Sequence, residues 1–171
     1  MFDISFFFEL FGRLPGPLAT MIIGTLPLAE SRVAVPVAIT YYQIHPVLAV
    51  LYSAIGDLIP TLILINILGP VSGFLIKRSK LAERFFHWLF EHTRHKFVGK
   101  YEKYGLLALA LFVAIPIPGS GSWSGSVASF IFGISKRKAF LFVALGVLIA
   151  GSIIALVTTG IIEFLNFAYH I

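Results

Sequence analysis

Between Gly105 and Ser135 the chain carries no charged residue, yet Pro116, Pro118, Gly119, Gly121 and Gly125 interrupt it. Such a run belongs in a core or a bilayer, but one straight membrane crossing takes about 20 predominantly apolar residues. Proline removes a backbone donor and glycine loosens the chain, so a helix must break here. The segment is too long for one straight crossing and too short for two, which need about 40 residues plus a turn. Leu14 to Tyr42 presents the same problem: it holds Pro15, Pro17, Pro27 and Pro36, with Glu30, Ser31 and Arg32 near its centre. The economical reading of both is a re-entrant helical hairpin, which turns near mid-depth and returns to the side it entered from. Broken backbone is tolerated at membrane depth only where protein buries it or it lines a wet cavity.

The composition agrees with a bilayer. Hydrophobic residues make up 58% of the 171, and charged residues 12%, against about 25% in an ordinary soluble domain. Val47 to Leu68 and Ala139 to Ile162 read as full crossings, the first carrying Asp57 and Pro60. The opening MFDISFFFELFG has no basic stretch and does not read as a cleaved signal peptide. Its Phe2, Phe6, Phe7, Leu10 and Phe11 share one wide helical face, as in a short interfacial helix. Residues 81–98 read as a basic amphipathic helix, with Leu81, Phe85, Trp88, Leu89, His92 and Phe97 along one side.

The charge of +5 is concentrated. Residues 77–103 hold Lys77, Arg78, Lys80, Arg84, Arg94, Lys96, Lys100 and Lys103, and Lys136, Arg137 and Lys138 form a second cluster. Beside long apolar spans these read as cytoplasmic loops rather than a nucleic-acid surface. They flank the second broken segment. A re-entrant path places both on the cytoplasmic side, and the two termini then face outward. The expected location is the cell membrane, in a multi-pass arrangement.

The order of elements repeats: interfacial helix, hairpin, crossing, then the same again. Leu26-Pro27-Leu28 matches Ile115-Pro116-Ile117, Gly56 follows Pro27 by 29 residues, and Gly146 follows Pro116 by 30. One crossing per half inverts the second half relative to the first, the plan of many secondary transporters. The expectation is a single all-α membrane domain over 1–171, with repeat one at 1–76 and repeat two at 77–171.

Glu30, Arg32 and Asp57 are the ionisable residues expected at depth. Each costs about 2.5 to 3.5 kcal/mol to insert, and such residues usually mark function. Arg32 can neutralise one carboxylate. The other must be protonated, bind a cation or meet water. Alternatively, Glu30 and Arg32 satisfy loose backbone at the break, and Asp57 partners Arg32. The second break offers Ser120, Ser122, Trp123 and Ser124, and a half-helix starting near Ser122 would aim its N–H groups and positive dipole end at an anionic guest. The bland reading is that these serines cap the helix and the glycines allow close packing. Pro27, Pro36, Pro116, Pro118, Gly119 and Gly121 are the expected breaks and gates.

Other chemistry finds little footing. There is no cysteine. His92 and His95 share a helical face but have no carboxylate in register, so no metal site is expected. No serine has a plausible His/Asp pair, so neither an enzyme nor a cofactor is expected. The expected partners are membrane lipids, a small-molecule or lipid substrate, a proton or cation, and a second copy of the chain to shield the hairpins.

The runs LPLAESRVAVPVAI (Leu26 to Ile39), FVAIPIPGSGSWSG (Phe112 to Gly125) and SKRKAFLFVALGVLIAG (Ser135 to Gly151) resemble the prokaryotic small multidrug export protein family. Its E-x-R-x-x-x-P element matches Glu30, Arg32 and Pro36, and its P-x-P-G-x-G element matches Pro116, Pro118, Gly119 and Gly121. That family is in turn similar to the DedA / VTT (SNARE-associated) superfamily, which implies paired re-entrant hairpins and proton-dependent transport or lipid translocation. Together these suggest a small secondary transporter, proton- or ion-coupled, exporting a small or amphipathic substrate, with Glu30 as the proton- or cation-binding carboxylate, Arg32 as its partner or the substrate anchor, and Asp57 as the second carboxylate. The rivals are a flippase or scramblase for an anionic, polyprenyl-phosphate-like lipid, and a non-transporting membrane scaffold.

Overall fold

The computed structural model describes residues 14–81, 83, 84, 87, 101–117 and 119–169. The expected interfacial helix at 1–12, nearly all of the expected amphipathic helix at 81–98, and Pro118 lie outside the described residues. Among the described residues six bounded helices follow in chain order: α1 (Gly16–Thr25), α2 (Glu30–Thr40), α3 (Pro46–Arg78), α4 (Tyr101–Ala114), α5 (Ser122–Ile131) and α6 (Lys136–Tyr169). Among the described residues there is no strand.

Among the described residues two helices are long and apolar enough to cross a membrane, α3 and α6. Both outrun the expected spans, because their polar ends (Lys77 and Arg78 in α3, Lys136 to Lys138 in α6) continue the helix instead of stopping it. Their outward faces are apolar: Leu51, Ile59 and Ile63 of α3, and Leu141, Leu156 and Phe164 of α6, all stand exposed. Water would penalise such faces heavily, whereas lipid does not. The chain is a membrane protein.

The remaining helices are short, and local chemistry says why. Leu26 precedes Pro27, and a residue before proline is pushed out of the helical region. Leu26 accordingly turns extended (φ −77, ψ 131) and ends α1. Helix α5 stops at a glycine: Gly133 takes φ 67 and donates to the Phe130 carbonyl, while Ile134 donates to Ser129. These are the two bonds of a Schellman cap.

The chain forms two compact units. One comprises the described residues of Met1–Asp57 with Gly151–Ile171, the other Leu58–Ala150. In the first, α1 and α2 form a hairpin around Ala19, Ile23 and Ala34. A Cβ on Gly16 would meet Tyr42 and Ile44 at 3.0 Å, so the two ends of this hairpin lie side by side. A second cluster joins Val35, Ala38 and Ile39 of α2 to Ala49 and Val50 of α3 and Ala155 of α6. In the second unit α4 packs on α5, with Gly125 against Val113.

Glycines set the tightest approaches. A Cβ on Gly56 would lie 2.9 Å from the Met21 carbonyl carbon, and one on Gly24 2.8 Å from the Ser53 carbonyl oxygen. Helix α1 therefore crosses α3 backbone on backbone. In the other unit a Cβ on Gly146 would lie 2.7 Å from the Ala110 carbonyl oxygen, where α4 meets α6. Gly146 stands 90 positions after Gly56 (146 less 56), and the same interval relates the burial of α3 and α6. Ala49, Ser53, Gly56, Asp57, Pro60, Thr61 and Ile65 are buried, and so are Ala139, Val143, Gly146, Val147, Ala150, Gly151 and Ala155, while Val50, Ala54 and Ser72 of α3 are buried without a buried counterpart in α6. The latter seven are all the buried residues of α6.

Candidate functional site

The first break gathers every ionisable residue expected at depth. Helix α2 opens with Glu30, Ser31 and Arg32, and Asp57 lies one turn below Ser53 on α3. Glu30 is 4% exposed and Asp57 1%. An Arg32 Nη lies 3.4 Å from a Glu30 carboxylate oxygen. Ser31 donates both its backbone N–H and its hydroxyl to Asp57, and Arg32 lies within electrostatic reach of the same carboxylate. The first turn of a helix leaves N–H groups unsatisfied and carries partial positive charge. Asp57 thus receives from α2 what a helix N-terminus offers an anion. Arg32 pairs at 3.4 Å with Glu30, its neighbour two residues away.

Glu30 has an unusual backbone. Its φ is 44°, in the left-handed region that a non-glycine residue occupies at a cost of about 1–3 kcal/mol. At the second break the corresponding place is taken by Gly119, with φ 92°. Glycine fits that conformation without strain. The strained backbone at Glu30 coincides with a buried, charge-paired side chain, the association expected of a functional position.

Proline shapes the site at two further points. Pro36 lies inside α2 and Pro60 inside α3. Neither can donate four residues back. The carbonyls of Arg32 and Gly56 therefore lose their usual helical donors. Pro27 lies in the turn between α1 and α2.

The second break, in the other unit, is neutral. Ser120 is buried, and its hydroxyl donates to the carbonyls of Ile115 at 2.5 Å and Ile117 at 2.8 Å. Ser124 donates to the Gly121 carbonyl at 3.1 Å. Helix α5 starts at Ser122 with Gly121 as N-cap in an extended conformation, and no side chain caps it. Ser122 is buried and Trp123 half-buried. Pro116 lies in the irregular stretch ahead of the helix. The hydroxyls of Ser120 and Ser124 are spent on the turn itself, while the first N–H groups of α5 receive no cap from a side chain.

One member of the site does not stand out in the sequence. Ser53 is fully buried, one turn before Asp57, and its hydroxyl has no hydrogen-bond partner. A single serine in an apolar helix ordinarily bonds back to its own helix. Its spacing of four from Asp57 was the available signal.

The family described as "Putative small multi-drug export protein" matches residues 30–153. The match opens on Glu30 and includes Arg32, Ser53, Asp57 and the whole second break. No curated protein and no solved structure matches the chain.

Proposed function

Given that the chain belongs to the small multi-drug export protein family, we propose that it is a proton- or ion-coupled secondary transporter of the cell membrane, exporting a small or amphipathic substrate. The observation that carries this reading is the group Glu30–Arg32–Asp57, two buried carboxylates with a partly buried guanidinium at a helix break inside an apolar protein. Two carboxylates face one guanidinium. If both are ionised, one negative charge remains, and a low-dielectric interior does not hold it uncompensated. A proton or a cation supplies the balance, and its release on the other side couples the site to a gradient.

The proposed transport path uses both breaks as re-entrant hairpins. Helices α1, α2 and α5 have 10, 11 and 10 residues, half of the roughly 20 needed to cross. The shared 90-residue interval in burial and glycine packing supports an inverted repeat, and with it alternating exposure by rocking of one repeat against the other. Glu30 and Arg32 act as an ion-pair anchor, Asp57 as the coupling carboxylate. The N-terminus of α5, which no side chain caps, faces the substrate with Ser120, Ser122, Trp123 and Ser124 around it. Pro27, Pro36, Pro116, Pro118, Gly119 and Gly121 shape the gates. A homodimer covers the hairpins that one copy leaves open to lipid. The further likeness to the DedA / VTT superfamily rests on the sequence motifs.

Ethidium efflux tests the reading. Cells expressing the wild type should expel the dye, and a protonophore with a sodium ionophore should stop them. Arg32→Ala and Asp57→Asn, expressed at equal levels, should reduce efflux to that of empty cells. Efflux unchanged in both variants, or none from the wild type, refutes it.

A further inference from the structure

Most of the helix hydroxyls whose bonds are described fold back onto their own helix. Thr20 donates to the Gly16 carbonyl at 2.8 Å, Ser126 to Ser122 at 2.7 Å, Ser129 to Ser126 at 2.7 Å and Thr159 to Ala155 at 2.9 Å. Each satisfies itself on its own helix, as hydroxyls in apolar surroundings do. Ser53 does not: its Oγ is fully buried and has no partner. Leaving a buried hydroxyl unsatisfied is unfavourable, so its orientation calls for a ligand.

We propose that Ser53 and Asp57 form a seat for a dehydrated monovalent metal cation, sodium in particular, with Ser53 Oγ and the Asp57 carboxylate as ligands. This deepens the transport reading above and rests on it for its purpose, though not for its test. Four residues apart, the two side chains share one face of α3. Pro60 cannot donate to the Gly56 carbonyl, which leaves a backbone oxygen without its usual donor beside Asp57. Hydroxyl, carboxylate and released carbonyl are the hard oxygen donors that alkali and alkaline-earth cations take.

The charge argues for a single positive ion. Glu30 and Arg32 of α2 compensate each other at 3.4 Å. Residues 14–29 and 139–162 contain no Asp, Glu, Lys, Arg or His. Glu30, Arg32 and Asp57 together therefore carry one net negative charge when ionised. Among the described residues no three His, Cys, Asp or Glu side chains cluster as a divalent or transition metal would need. A proton on Asp57 would engage Ser53 through one hydrogen bond, whereas a metal ion takes hydroxyl, carboxylate and carbonyl oxygens together. The unsatisfied hydroxyl therefore favours a metal ion over a proton.

The test is thermal unfolding of the full-length protein in detergent, titrated with NaCl at ionic strength held constant with choline chloride, with KCl as a parallel series. Sodium should raise the unfolding temperature of the wild type in a saturable way, and potassium should raise it less. Ser53→Ala should shift half-saturation by sodium at least tenfold upward. The same variant should unfold at a higher temperature than the wild type without sodium, since it removes an unsatisfied buried hydroxyl. A purely structural serine would not produce that reversal. Asp57→Asn should abolish the sodium response. Equal effects of sodium and choline on the wild type overturn the proposal, and so does a wild-type sodium response in Ser53→Ala. A response to pH but none to sodium also overturns it while leaving proton-coupled export standing. Sodium binding in a protein that exports nothing would sink the transport reading alone.

Discussion

Replacing Gly56 with alanine tests whether α1 and α3 meet as closely as the geometry requires. Two terms oppose each other. Alanine is favoured over glycine in a helix interior by about 1 kcal/mol. Against this, the new methyl would lie 2.9 Å from the Met21 carbonyl carbon and 3.1 Å from its Cα, where carbon atoms pack best at about 3.5–4.0 Å. The neighbour is backbone, so no side chain can swing aside. The Met21 carbonyl oxygen would be closer still, so helix α1 must retreat by about an ångström or more, opening the parallel contact at Gly24, whose own Cβ would be 2.8 Å from the Ser53 carbonyl oxygen. Overpacking of this kind costs about 1–3 kcal/mol, occasionally more, and against rigid backbone the upper end applies. The net loss is about 2 kcal/mol after the gain in propensity, a factor of roughly 30 in the folding equilibrium. Gly69 of the same helix provides the control, because a Cβ there meets nothing within 4 Å. Gly69→Ala should stabilise by up to about 1 kcal/mol. The assay is reversible unfolding in mixed micelles, followed by far-ultraviolet circular dichroism. If Gly56→Ala and Gly69→Ala shift stability by the same amount and in the same direction, the close crossing is wrong.

Three further outcomes follow from the same contacts. Leaving the buried Glu30 carboxylate without its partner is costly, so Arg32→Ala should destabilise by up to about 3 kcal/mol; adding Glu30→Gln should restore part of that loss, and a double-mutant cycle by thermal unfolding measures the coupling. Gly125→Ala places its methyl against Val113 Cγ2, so Val113→Ala should rescue it in the unfolding assay. Gly146→Ala should resist the same rescue, because its methyl would meet Val113 Cβ at 2.6 Å and the Ala110 carbonyl oxygen at 2.7 Å, and both atoms remain in Val113→Ala.

The breaks were legible because proline and glycine act locally. Pro27 ends α1 through its effect on Leu26, whatever the rest of the chain does. The ends of α3 and α6 were less legible: Lys77, Arg78 and Lys136 to Lys138 leave the apolar pattern, but polar residues do not stop a helix. The charged residues Glu30, Arg32 and Asp57 stood out because nothing else ionisable shares their apolar surroundings. The partner of Asp57 could not be read, since it depends on where α2 starts relative to α3. Ser31 donates to Asp57 through its backbone N–H and hydroxyl, and Arg32, 3.4 Å from Glu30, acts on it electrostatically.

What the sequence determined by itself is the membrane character, the four stretches of apolar chain and the places where two of them break. These follow from composition and from the backbone chemistry of proline and glycine, which need no neighbours. Tertiary structure alone decided that Gly56 must be glycine, that Glu30 takes a left-handed backbone, and that Ser53 turns a buried hydroxyl toward no partner. Each of these depends on a distance between residues far apart in the chain, or on the strain that a packed neighbour imposes, and neither is written in local pattern.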